Sequence, residues 1–204
     1  MKSKSRHSGL TVLLLSLVAM LPAGARAQGW TFDDSTSAWE RFALGFASSL
    51  AAHEAGHFIV AKSKGYEVSH DGLSITYPGT NFTRAGQLQL ASAGFQTQWV
   101  LSEFALRDKN GHEHTAPPSD FEAGVVCSYI GVSAAYLTFL KNQYNGDVYG
   151  MSRATGYSHD RTALMVAIPA VLDAWRLFGD DVPAWVPDLS VMSKGIAAAW
   201  IWSY

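Results

Sequence analysis

A mainly α-helical bundle embedded in a membrane, with a short β-hairpin inserted after one of its helices, is the fold this sequence predicts. Three observations carry that expectation. Segments 42–61, 121–140 and 162–178 are apolar with few charges inside them. Charged residues make up only 16% of the 204 residues against 48% hydrophobic ones, a charge content low for a water-soluble domain. The stretch 66–84, YEVSHDGLSITYPGTNFTR, breaks the helical pattern with the turn pairs Asp71-Gly72 and Pro78-Gly79. The net charge of −2 leaves no electrostatic footprint for nucleic acid. Cys127 is the sole cysteine, which excludes an intrachain disulfide and a cysteine-based zinc cluster.

The elements follow in order. Lys2, Lys4 and Arg6 precede the apolar run LTVLLLSLVAMLP, and Ala25 and Ala27 then give an A-x-A arrangement. Residues 1–27 therefore read as a secretory signal peptide, and 28–204 as a single embedded domain. Ser37 and Glu40 fit a capping box opening a helix over 37–64, with Lys62 and Lys64 in its last turn and Gly65 just beyond. Such a helix is on the order of 40 Å long, enough to cross a bilayer. The hairpin region follows, then a helix with many polar members over 88–106 and a loop over 107–120. Segment 121–140 is an apolar helix rich in small residues that suit close helix contacts. Residues 141–161 read as a polar connection, 162–179 as a helix interrupted by Pro169 and Asp173, and 189–204 as a last apolar helix. Trp39, Trp185, Trp200 and Trp202 stand near the ends of apolar segments, where an interfacial belt would place them.

Within the first helix lies His53-Glu54-Ala55-Gly56-His57, an H-E-x-x-H motif. A spacing of four puts both imidazoles on one helix face, one turn apart, so both can bind one Zn²⁺. Glu54 beside them can serve as general base on water activated by the metal. Two histidines and a glutamate in an apolar helix are costly without such partners.

The longer stretch HEAGHFIVAKSKG resembles the H-E-x-G-H signature of the site-2 protease family, the intramembrane zinc metalloproteases. SAGFQTQ, at 92–98, is similar to that family's A-G-P-x-x-N segment, and IPAVLDAWR, at 168–176, to its L-D-G segment. Phe95, Gln98 and Ala174 stand where the family pattern has Pro, Asn and Gly. The resemblance implies that His53, His57 and Asp173 hold zinc, that Glu54 is the catalytic base, and that Gln98 binds substrate. It also implies a protein or peptide substrate reached from the lipid bilayer, and a place in a bacterial inner membrane or cell envelope.

Alternatives stay open at this point. HEAGH also resembles the motif of membrane-anchored ATP-dependent zinc proteases, whose aspartate-bearing segment TGYSHDRTA would match with Asp160; no phosphate-binding G-x-x-x-x-G-K-[ST] loop accompanies it. A gluzincin arrangement would use Glu103 and make the chain a periplasmic or peripheral zinc hydrolase. A membrane protein with a purely structural metal site is the third reading. His112-Glu113-His114 lies in a polar loop and reads as solvated, and His70 as an ordinary residue beside a turn.

Overall fold

The structure is a computed structural model that describes residues 29–32, 35–71, 74–107 and 118–204. The expected signal peptide, the Asp71-Gly72 turn in part, and His112, Glu113 and His114 lie outside those residues. The described chain is mainly helical, as expected. Its order is α1 (Thr36–Ser63), β1 (Ser69–Asp71), β2 (Ser74–Thr76), α2 (Arg84–Ala105), α3 (Asp120–Ala135), α4 (Asp147–Thr155), α5 (His159–Phe178) and α6 (Trp185–Ser203). The two strands pair antiparallel with His70 opposite Ile75, which gives the expected hairpin after the motif helix.

Local chemistry sets the helix ends. Ser35, not Ser37, caps α1, its hydroxyl accepting the N–H of Ala38 at 3.3 Å. Both serines are competent caps, and the earlier start buries Ala38 completely. At the other end Gly65 takes φ +70°, the left-handed conformation that stops the helix. Thr83 caps α2, which starts at Arg84, four residues ahead of the expected start, and Ser158 caps α5. A reciprocal capping box does form, at Ser119 and Glu122, where α3 begins. The end of α3 widens into one π-helical turn, Tyr136–Leu140. Pro169 does not interrupt α5, which runs continuously through it.

The largest departure from the sequence reading is α4, in the stretch read as a connection. Asn145 turns the chain with φ +66°, Gly146 opens the helix, and Gly156 closes it with φ +77°. Val148, Met151 and Ala154 form its buried face.

Helices α1 and α3 pack backbone against backbone. A Cβ on Gly45 would come within 2.0 Å of the Phe121 carbonyl oxygen, and one on Gly124 within 2.1 Å of that of Phe42. Only glycine allows that approach. The main apolar core joins Leu88, Phe95, Trp99, Tyr129, Val166 and Ile201 from four helices. Polar side chains share the interior: Ser49, Ser92, Gln98, Ser102, Ser128, Asp173, Arg176, Ser190 and Lys194 are all buried. The outer faces are apolar instead. Leu164, Ile168 and Val171 are exposed along α5, and Leu189, Met192 and Ile196 along α6. By length and composition, one helix among the described residues could cross a membrane, Asp120–Leu140, with a mean hydropathy of 1.6.

Candidate metal centre

Two glycines let the motif face of α1 lie directly on α2. A Cβ on Gly56 would meet the Thr97 hydroxyl at 2.3 Å, and one on Gly94 would meet His53 Nε2 at 2.3 Å. The His53 ring therefore occupies the space that the missing Gly94 side chain leaves. Phe95 adds an edge-on contact at 5.5 Å between ring centroids. On the other side Gly150 of α4 brings that helix against Ala91 of α2, and with it Asp147.

Hydrogen bonds fix both rings. His53 Nδ1 lies 3.0 Å from Gln98 Oε1, and His57 Nδ1 lies 2.8 Å from the Leu90 carbonyl oxygen. Both partners are acceptors, so each Nδ1 carries the proton and each Nε2 presents its lone pair. The two Nε2 atoms face each other at 3.3 Å. Asp147 completes the group, with Oδ2 at 2.9 Å from His53 Nε2 and Oδ1 at 3.2 Å from His57 Nε2.

Acceptors that converge on one point need a cation there. A proton can serve one pair at a time, whereas a metal ion serves all three. The spacing also suits a metal: two nitrogens bound at about 2.05 Å with a tetrahedral angle lie about 3.3 Å apart. His53, His57 and Asp147 thus form a group that can hold a metal ion, with ligand atoms mutually within 4.8 Å.

Asp147 is the first residue of α4, where the helix dipole favours a negative charge. Its own N–H donates to the Tyr136 hydroxyl oxygen at 3.1 Å, so the π-helical turn of α3 helps to place it. Burial alone would push its carboxyl up; with no metal bound, a protonated His57 and imidazole N–H donors in place of the lone pairs outweigh burial and hold it well below the usual carboxylate range.

His57, Asp147 and Glu54 line a cleft of about 710 Å³, with His53 buried beside His57. Glu54 is exposed on its wall. The hairpin and the segment after it form one rim through Tyr77 and Asn81, and the turn before α4 forms the other through Tyr144 and Asn145. Burial, then the charges of Asp147 and Glu54, push the Tyr77 phenol well above its ordinary value, so it stays a donor.

Other expected site residues lie elsewhere or act differently. Asp173, expected as the third ligand, is fully buried with both oxygens engaged. Oδ1 accepts from Arg176 Nη1 at 3.0 Å and from the Ser190 hydroxyl at 2.6 Å, and Oδ2 from Lys194 Nζ at 2.5 Å. Cations on α5 and α6, rather than a metal, answer this buried carboxylate. Glu103 belongs to the same cluster, its Oε1 accepting from Arg176 at 2.7 Å and Lys194 at 2.6 Å. Asp160 is exposed and pairs with Lys141. Gln98, expected to bind substrate, is fully buried behind His53. Its amide nitrogen donates to Ser49 and Ser128, so it orients the imidazole and does not reach the cleft.

The carboxylate that the sequence reading missed is Asp147. Gly146 before it, Asp147 in a first turn and Gly156 nine residues later are helix start and stop signals that mark α4. No protein-family model, curated protein or solved structure matches the chain.

Proposed function

We propose that this chain is a membrane-embedded, zinc-dependent peptidase of the cell envelope. The observation that carries the reading is the convergence of His53 Nε2, His57 Nε2 and the Asp147 carboxylate beside Glu54 in one open cleft. Two imidazoles and one carboxylate at tetrahedral spacing favour zinc, and three protein ligands are the usual number for a catalytic zinc.

When bound, zinc supplies Lewis acidity for a substrate carbonyl and for water. The chain's own residues supply the rest. His53 and His57 are held as neutral ligands by Gln98 and Leu90. Asp147 balances charge. Glu54, on the open side, takes the proton of the attacking water and can pass it to the leaving amine. Tyr77 offers a phenolic donor on the same wall to an oxygen that gains charge. The resemblance of HEAGHFIVAKSKG to the site-2 protease signature supports the same chemistry, with Asp147 in place of the expected Asp173 as third ligand.

The membrane part of the proposal rests on the distribution of polarity. Serines, Gln98 and ion pairs share the interior with the apolar core, while α5 and α6 present leucine, isoleucine, valine and methionine outward. In water such continuous apolar faces would drive association; in lipid they are solvated.

Glu54→Gln tests the assignment. The amide keeps the shape and loses the base, so the variant should retain the wild-type zinc content and lose peptide hydrolysis by a factor on the order of 10²–10⁴. Undiminished hydrolysis by Glu54→Gln protein would end the metallopeptidase reading.

A further inference from the structure

We infer that the cleft selects peptides carrying a carboxylate two to four residues from the bond at the metal centre, and that Arg153 is the residue that binds it. The inference rests on the peptidase reading of the cleft and deepens it by naming a substrate class.

The ionisable groups lining the cleft, tyrosines aside, are Glu54, His57, Asp147 and Arg153. Three of them belong to the metal centre and its base. Arg153 does not. It is exposed, forms no ion pair among the described residues, and its guanidinium rests over the Tyr149 ring at 6.0 Å. A guanidinium with no ion pair of its own keeps its donor edge available, and its planar fork matches the two oxygens of a carboxylate. With a divalent metal bound, Asp147 and an ionised Glu54 cancel the charge of the ion. Arg153 then leaves the cleft with one net positive charge, a complement to an anionic substrate.

The position sets the register. Asp147 and Arg153 are six residues apart on α4, a rise of about 9 Å. An extended peptide advances about 3.3 Å per residue, so a carboxylate at Arg153 stands roughly three residues from a bond held at the metal centre. The carboxylate can come from an acidic side chain or from the peptide's own C-terminus. Both present the same two oxygens to the guanidinium.

The test is binding of fluorescein-labelled ten-residue peptides to the zinc-loaded protein in detergent, followed by anisotropy. One arm uses amidated peptides in which a single glutamate is moved through the sequence and compared with glutamine. The other compares a free C-terminal carboxylate with its amide. The wild type should prefer the carboxylate form about fivefold in one arm, which identifies the source, because an ion pair at a solvent-open mouth is worth on the order of 1 kcal/mol. Arg153→Ala should erase the preference, and Arg153→Glu should reverse it in favour of lysine peptides. Zinc content and helical signal should stay unchanged in both variants. No carboxylate preference in the wild type, no peptide binding at all, or an equal preference in Arg153→Ala would each overturn the inference. Cleavage is followed in parallel: carboxylate-dependent binding without turnover would remove the peptidase reading and leave Arg153 as the anchor of a peptide-binding site.

Discussion

Asp147 and Asp173 show how similar residues divide between a candidate metal ligand and a buried ion-pair partner. Both are shielded carboxylates on helices, and their partners decide their roles. Asp147 faces two imidazole nitrogens whose protons point away from it, an arrangement only a cation completes. Asp173 faces Arg176 and Lys194, which complete it already. The sequence made Asp173 visible because an aspartate in an apolar run demands a partner, which the family resemblance supplied as zinc. The cluster in which Arg176 and Lys194 bind Asp173 and Glu103 was not in sight, because its members come from three helices. His53, Glu54 and His57 were legible together because ligand spacing on one helix is a local property. Removing one member of a buried ion cluster leaves an unpaired charge, so Asp173→Asn should destabilise the protein by about 3–5 kcal/mol. Zinc content should remain at the wild-type value. Chemical unfolding with metal analysis of the folded fraction checks both, and loss of zinc at unchanged stability would restore Asp173 as a ligand.

Among the elements, α2 does more than its sequence suggested. It was readable as a helix with a polar stripe, but not as the surface that shapes the site. Gly94 makes room for the His53 ring, Leu90 and Gln98 hold the two imidazoles, and Ala91 receives Gly150 of α4. None of this is a local signal, since each contact joins segments far apart in sequence. Helix α4 escaped notice for a different reason: it is only nine residues long, Asp147–Thr155, and lies in a polar, glycine-containing stretch next to the long apolar runs around it. Gly94→Ala places a methyl group in the His53 ring, and flexible side-chain ends cannot absorb the clash because the ring is the neighbour. We expect that variant to keep its helical circular dichroism and to lose most of its zinc affinity. Wild-type zinc binding by Gly94→Ala protein would show that His53 has another position from which to bind.

At the level of the whole molecule, buried ion pairs share the interior with an apolar core, and large apolar side chains stand exposed on α5 and α6. Composition hinted at this through its low charge, but it could not say which face of each helix turns outward. The pattern of burial does: between the polar ends of α5 and α6, Leu164, Ile168, Val171, Leu189, Met192 and Ile196 are exposed, and Arg176 and Lys194 are turned inward. A chain with such faces should remain in the pellet when membranes are washed with alkaline carbonate, and quantitative release would contradict embedding. The metal centre is the claim on which the functional reading depends, and zinc stoichiometry addresses it most directly. Wild-type protein purified without added metal and then given zinc in excess, with unbound ion removed, should carry stoichiometric zinc, and Asp147→Ala should lose most of it with its helix content intact. A wild type that binds no zinc, or an Asp147→Ala variant that keeps the full complement, would contradict the account.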